Sequence, residues 1–176
     1  CKYNIGAILH RFGKSADAKN SAVAALKISQ EISDKLWEGK SFNLLGLIYA
    51  NLGDYKNAID YFNNALTIFK AIDDFDEAIP TINSIGKIAE KFGDYKKALA
   101  FYNIPLPYLE LTGNEEAVAF TLDNIGSVYW KQNEFKKAIE VGETFLQKGQ
   151  MIVETRGRTR GSNRPYASQR INSENL

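Results

Sequence analysis

Residues 44–62 read LLGLIYANLGDYKNAIDYF and residues 84–102 read SIGKIAEKFGDYKKALAFY, so one pattern returns after 40 residues. The glycine at the third position of this stretch keeps that spacing, at Gly6, Gly46, Gly86 and Gly126. Alanines keep the same spacing, at Ala18, Ala58, Ala98 and Ala138. Several residue types that recur at one period indicate an internal repeat, in which similar units stack on one another.

Each unit contains two apolar segments, separated by a break such as Gly53 and Asp54. Within each segment apolar residues recur every three or four positions, which predicts two amphipathic helices joined by a tight turn. Gly53 and Gly93 are expected to end the first helix in the left-handed conformation that glycine adopts at low cost. Asp54 and Asp94 are then expected to cap the second helix.

Gly46 and Gly86 fall inside the first predicted helix, where glycine costs about 1 kcal/mol relative to alanine. A cost of this size needs a packing reason. We expect the two helices of a unit to approach closely there, helped by Ala58 and Ala98 on the facing surface.

The recurring residues resemble the motif of the tetratricopeptide repeat family. Those that carry the resemblance are Leu45, Gly46, Tyr49, Gly53, Asp54, Tyr55, Ala58, Phe62 and Ala65, then Ile85, Gly86, Gly93, Asp94, Tyr95, Ala98 and Tyr102. The family unit is usually about 34 residues long. The 40-residue unit of this chain is similar to the longer units of kinesin light chains and of bacterial arrays fused to caspase-like or nucleotide-binding signalling domains. The resemblance implies an all-α, right-handed superhelical solenoid of about four helix-turn-helix repeats.

The repeat predicts four units, followed by an Arg-rich tail. The units fall at about residues 1–34, 35–74, 75–114 and 115–150, and the tail at 151–176. The tail has few apolar residues and is predicted to be disordered. Three interpretations of it stay open: a basic arm for phosphate-bearing partners, a solvated terminus, or a frameshift product. Because the sequence starts at Cys1 and repeats begin by Asn4, we expect a piece of a longer chain, with a mature lipoprotein as the alternative.

Two units depart from the pattern. Ser15 stands where later units have an aromatic residue and Lys19 replaces an apolar one, so we expect the first unit to be an outer one. Pro105 and Pro107 fall inside the second helix of the third unit, which should stop near Asn103. Pro80 falls early in that unit's first helix and is expected to be tolerated if the helix begins late.

Composition argues for binding rather than catalysis. His10 is the only histidine and Cys1 the only cysteine, so the sequence predicts no metal site, no cofactor and no enzyme. The net charge of +1 gives no general attraction to nucleic acid, the Arg-rich tail being the weak exception. No apolar run approaches the roughly 18 residues that span a membrane, and the scarcity of cysteine favours the cytoplasm.

The resemblance implies a concave groove lined by the first helix of each unit, at positions set by the glycine in that helix. The predicted groove residues are Asn43, Leu47, Asn51, Asn83, Lys87, Lys91, Asp123, Ser127, Trp130 and Lys131. The two amides Asn43 and Asn83 could hold the backbone of an extended peptide. Trp130 could provide an apolar anchor. The alternative is that the polar residues are simply solvated and Trp130 fills a gap between repeats.

These observations favour an interaction scaffold that binds a peptide or partner protein in the groove. The first alternative is the regulatory or sensor arm of a larger bacterial signalling protein, such as a caspase-like protease. The second is a truncated repeat product with no independent role.

Overall fold

The computed structural model describes residues 2–147. Helices follow one another through this range, which contains no strand. They are α1 (Lys2–Arg11), α2 (Ser15–Glu31), α3 (Lys35–Asn51), α4 (Tyr55–Ala71), α5 (Phe75–Lys91), α6 (Tyr95–Asn103), α7 (Leu106–Leu111) and α8 (Glu115–Lys131). A further helical segment covers 135–147. The all-α repeat fold is confirmed, and the predicted tail at 151–176 lies outside the described residues.

One turn geometry joins the long helices. Gly53 (φ 80°) and Gly93 (φ 75°) are left-handed, as predicted. Ser33 (φ 58°) and Asp73 (φ 56°) adopt the same conformation between units, although neither is glycine. The turn within a unit and the turn between units are therefore built alike.

Side-chain caps begin most of these helices. The predicted caps Asp54 and Asp94 accept hydrogen bonds from the backbone N–H groups three residues further on, at 3.3 and 3.1 Å. Asp74 caps α5 in the same way, at 3.1 Å. Lys14, at the equivalent position before α2, makes no side-chain cap hydrogen bond.

The prolines of the third unit have different effects. Helix α6 ends at Asn103 as predicted, and the chain resumes as α7 after Pro105. Helix α5 begins at Phe75, where the third unit is predicted to start, and Pro80 lies inside it, so the proline is tolerated without a late start. With α5 capped at Asp74, Pro80 removes only one hydrogen bond from an exposed position of the helix.

The glycines inside the first helices make room for aromatic rings. A Cβ added at Gly86 would lie 2.6 Å from Cε1 of Tyr102, and the ring of Phe62 faces Gly46 in the same way. Both rings are completely buried. The expected close approach of the two helices is thus confirmed, but a ring rather than the neighbouring alanine occupies the space that the glycine leaves.

Successive helices pack against one another along the chain, and α1 and α5 also contact α3. Leu45 and Ile48 of α3 are fully buried in this stack. Ile5 and Ile8, at the equivalent positions of α1, are 47% and 53% exposed. Among the described residues, no helix covers this face of α1.

Candidate binding groove

The first helices of successive units lie side by side and form one surface. Between α5 and α8 this surface opens into a cavity of about 650 Å³, here called the α5–α8 groove. Its lining residues are Ile79, Pro80, Asn83, Ser84, Lys87, Asn114, Glu116, Ala117 and Phe120. The structure therefore brings two of the predicted groove residues, Asn83 and Lys87, into one cavity.

The two predicted amides have different surroundings. Asn43 Oδ1 accepts a hydrogen bond from Thr81 Oγ1 at 3.0 Å, which ties α3 to α5. Asn83 is only 7% exposed, and its Oδ1 atom has no hydrogen-bond partner within the described residues. An unpaired buried polar group costs about 1–3 kcal/mol, so a donor that reaches Asn83 would remove a penalty present in the free protein.

The lysines of α5 lie over aromatic rings. Lys87 Nζ is 5.2 Å from the ring centroid of Phe120, which is half exposed in the α5–α8 groove. Lys91 Nζ is 5.1 Å from the ring centroid of Tyr55. The face of an aromatic ring attracts the lysine ammonium group and limits its movement. The N–H groups of the ammonium stay available to a ligand.

Glu90 organises the space between α5, α6 and α8. Its carboxylate accepts hydrogen bonds from Tyr102 Oη at 2.8 Å, Ser127 Oγ at 3.2 Å and Lys131 Nζ at 2.7 Å. Burial would raise the pKa of Glu90, but the bonds from Lys131, Tyr102 and Ser127 together hold it below its usual value. Ser127 and Lys131 therefore already have a partner inside the protein.

The remaining predicted residues of α8 lie apart from the α5–α8 groove. Asp123, Ser127 and Trp130 line a separate cavity of about 270 Å³ between α8 and the segment 135–147. Trp130 is 65% exposed and packs edge-on against Phe135, with ring centroids 5.0 Å apart. The predicted single groove is thus divided into two cavities in the second half of the array.

A family model described as tetratricopeptide repeat matches residues 1–71 and 40–103. The chain belongs to the tetratricopeptide repeat family. This membership, together with the helical-repeat fold, makes the chain a protein-interaction scaffold. No curated protein sequence matches it significantly.

Solved structures share the fold of this repeat array. BtubC from P. vanneervenii superposes with a TM-score of 0.70 at 19% identity, over 99% of this chain and 68% of that one. Aspartyl phosphate phosphatase F from Bacillus subtilis gives 0.80 at 16% identity, over 86% of this chain and 40% of that one. The apo form of RapI gives 0.76 at 18% identity, over 87% and 56%. The chain thus spans about two fifths of the second protein and just over half of the third.

Two predicted groove residues of α3 are engaged within the array. Leu47 is half buried and packs against the core cluster around Phe62 and Ile85. Asn51 Nδ2 lies 3.4 Å from Nε2 of His10, and burial lowers the pKa of that histidine. Neither residue lines the α5–α8 groove, so α3 contributes less to it than the sequence predicted.

Sequence reasoning did not foresee the hydrogen bonds that Glu90 accepts, and it did not name Phe120. In residues 2–147 no group of three or more His, Cys, Asp or Glu side chains is arranged to hold a metal ion. No helix in that range is long and apolar enough to cross a membrane.

Proposed function

We propose that the array binds an extended peptide segment of a partner protein in the α5–α8 groove. The observation that carries the proposal is the unpaired Oδ1 atom of the nearly buried Asn83 at a cavity of about 650 Å³. Rotation about χ2 lets an amide present either its carbonyl or its NH₂ group. Asn83 can therefore pair with the backbone of a peptide whatever its side chains are.

The other groove residues indicate the chemistry of that peptide. Lys87 offers a positive charge beside the apolar ring of Phe120. A peptide with an acidic residue, or its own terminal carboxylate, next to an apolar side chain would satisfy both. The proposed role is binding without catalysis.

A peptide selection tests the proposal. The full chain is immobilised and used to select from a phage-displayed library of random peptides, and the enriched peptides are synthesised with a fluorophore. Fluorescence anisotropy then gives their dissociation constants for wild type, Asn83→Ala and Lys87→Ala. We expect each substitution to weaken binding about tenfold, since a lost hydrogen bond to a charged or buried group is worth about 1.5 kcal/mol.

Lys96→Ala is the matched control, because Lys96 is exposed on α6, away from the groove. Circular dichroism establishes that all variants are folded. If the selected peptides bind Asn83→Ala and Lys87→Ala as tightly as wild type, the α5–α8 groove is not the binding site.

A regulatory arm of a larger bacterial signalling protein is a second proposal. It is supported by the likeness of the 40-residue repeat to arrays that carry caspase-like or nucleotide-binding domains. Sequencing the gene in both directions beyond this chain tests it, because the proposal requires an effector domain in the same reading frame.

We also propose a protein partner rather than nucleic acid, and a cytoplasmic setting. The balanced charge supports the first, and the presence of one cysteine in 176 residues supports the second. Fluorescence microscopy of a tagged full-length protein tests the location.

A further inference from the structure

The segment 135–147 lacks a ring that the two preceding units have. Phe62 and Tyr102 occupy one register position, 40 residues apart, and Gly142 occupies that position in the next unit. The rings of Phe62 and Tyr102 face Gly46 and Gly86 and are completely buried. Gly142 has no side chain to place against Gly126.

The space for the missing ring is open. A Cβ added at Gly142 would meet nothing within 4 Å, and one at Gly126 would meet its nearest side-chain atom, Val141 Cγ1, at 3.7 Å. A cavity of about 270 Å³ lies there. A dry apolar cavity of about 150 Å³ is already large enough to bind benzene, so this one has room for an aromatic side chain.

The walls of the cavity suit the aromatic side chain of a peptide. Its lining residues are Leu122, Asp123, Gly126, Ser127, Trp130, Ala138, Gly142 and Phe145. Trp130 and Phe145 offer aromatic faces at its edge, and both are partly or largely exposed. The single carboxylate, that of Asp123, is exposed at the rim.

We infer that this cavity, the Gly126–Gly142 slot, takes a phenylalanine or tyrosine side chain of the bound peptide. The inference rests on the proposed function, because Asp123, Ser127 and Trp130 belong to the groove face that the sequence predicts. The ligand's ring takes the place that Phe62 and Tyr102 fill from within the chain. A peptide on this face is thus anchored by its backbone at Asn83 and by a ring at the slot.

An NMR titration of the ¹⁵N-labelled full chain tests the slot directly. The probe is N-acetyl-phenylalaninamide, with N-acetyl-leucinamide as the comparison of similar polarity. We expect saturable shifts of the Gly126 and Gly142 amide signals at millimolar phenylalaninamide, as one side chain gives only weak affinity. The leucine compound should bind several-fold more weakly.

Two variants block the slot and one leaves it open. Gly142→Phe restores the ring from the chain itself, and Gly126→Leu fills the space from α8, so both should abolish the shifts. Gly142→Ala also raises the helix propensity, but it adds only a methyl group and leaves the slot open, so this variant should keep the shifts. Retained binding in the two blocked variants, no shifts in wild type, or equal affinity for the leucine compound would each overturn the inference.

The Asn83→Ala variant separates this inference from the proposed function. It should leave the slot titration unchanged while weakening the selected peptides. If those peptides depend on Asn83 but the Gly126 and Gly142 signals never move, the slot is wrong and the groove stands. If the signals respond but the selected peptides bind Asn83→Ala as tightly as wild type, the slot stands and the α5–α8 groove is wrong.

Discussion

The ring of Tyr102 lies against Gly86, where an added Cβ would come within 2.6 Å of its Cε1 atom. Gly126 has the same register position one unit later, yet the nearest side-chain atom to its added Cβ is 3.7 Å away. The two glycines share a sequence motif but have opposite packing constraints. The difference follows from Gly142, which replaces the ring.

Gly86→Ala is expected to lower the free energy of unfolding by about 1 kcal/mol. Overpacking a core costs about 1–3 kcal/mol, and the gain in helix propensity returns at most about 1 kcal/mol. Urea denaturation followed by circular dichroism measures the change. Gly126→Ala is the matched control and should raise the free energy by up to about 1 kcal/mol. Equal effects of the two substitutions would show that the ring does not constrain Gly86.

Glu90→Gln is expected to lower the free energy of unfolding by about 1–2 kcal/mol at neutral pH. The substitution keeps the shape of the side chain but removes the charge and one of the two acceptor oxygens. The amide therefore cannot accept from Tyr102 at one atom and from Ser127 and Lys131 at the other. Glu140→Gln, on the exposed side of the segment 135–147, is the control and should have little effect. A Glu90→Gln protein as stable as wild type would mean that the hydrogen bonds to the Glu90 carboxylate contribute no net stability.

The difference between wild type and Glu90→Gln should depend on pH. The hydrogen bonds from Lys131, Tyr102 and Ser127 outweigh burial and lower the folded-state pKa of Glu90. A lowered carboxyl pKa gives stability that is complete above the unfolded pKa of about 4.3 and is lost as the pH falls through the folded value. The difference should therefore be constant near neutrality and shrink below about pH 4. A difference that grows on acidification would contradict this assignment.

Tyr102→Phe should be far milder than Tyr102→Ala. The hydroxyl donates to Glu90, and its loss is expected to cost about 1 kcal/mol. The ring is completely buried, so its removal should cost about 3–5 kcal/mol. Phe62 already fills the same register position one unit earlier, which shows that phenylalanine fits there. Urea denaturation of both variants measures the difference, and similar losses would assign the stability to the hydroxyl.

The fold could be predicted because its determinants are local. Gly53 followed by Asp54 specifies a left-handed turn and a cap, and the structure has both. The turn at Ser33 was harder to foresee, since a non-glycine residue is left-handed there. The sequence left open how α5 tolerates Pro80, because either a late start or the loss of one hydrogen bond would accommodate a proline there.

The candidate site was less predictable because it depends on contacts between units. Residue spacing placed Asn83 and Lys87 on one face, and the structure gives them a shared cavity. Spacing could not show that Lys131 pairs with Glu90, some 41 residues away along the chain. Nor could it show that Leu47 turns towards the core.

Lys14→Asn is expected to stabilise the array by about 1 kcal/mol. Lys14 precedes α2 with φ −81° and ψ 67°, close to the φ −87° and ψ 74° of the capping residue Asp54. The backbone is therefore already arranged for a cap, and only the accepting oxygen is missing. Asparagine supplies that oxygen to the N–H of Asp17 without adding a negative charge beside its carboxylate. Lys14→Ala controls for removal of the lysine; if it stabilises the protein as much as Lys14→Asn in urea denaturation, the gain comes from lost charge and not from a cap.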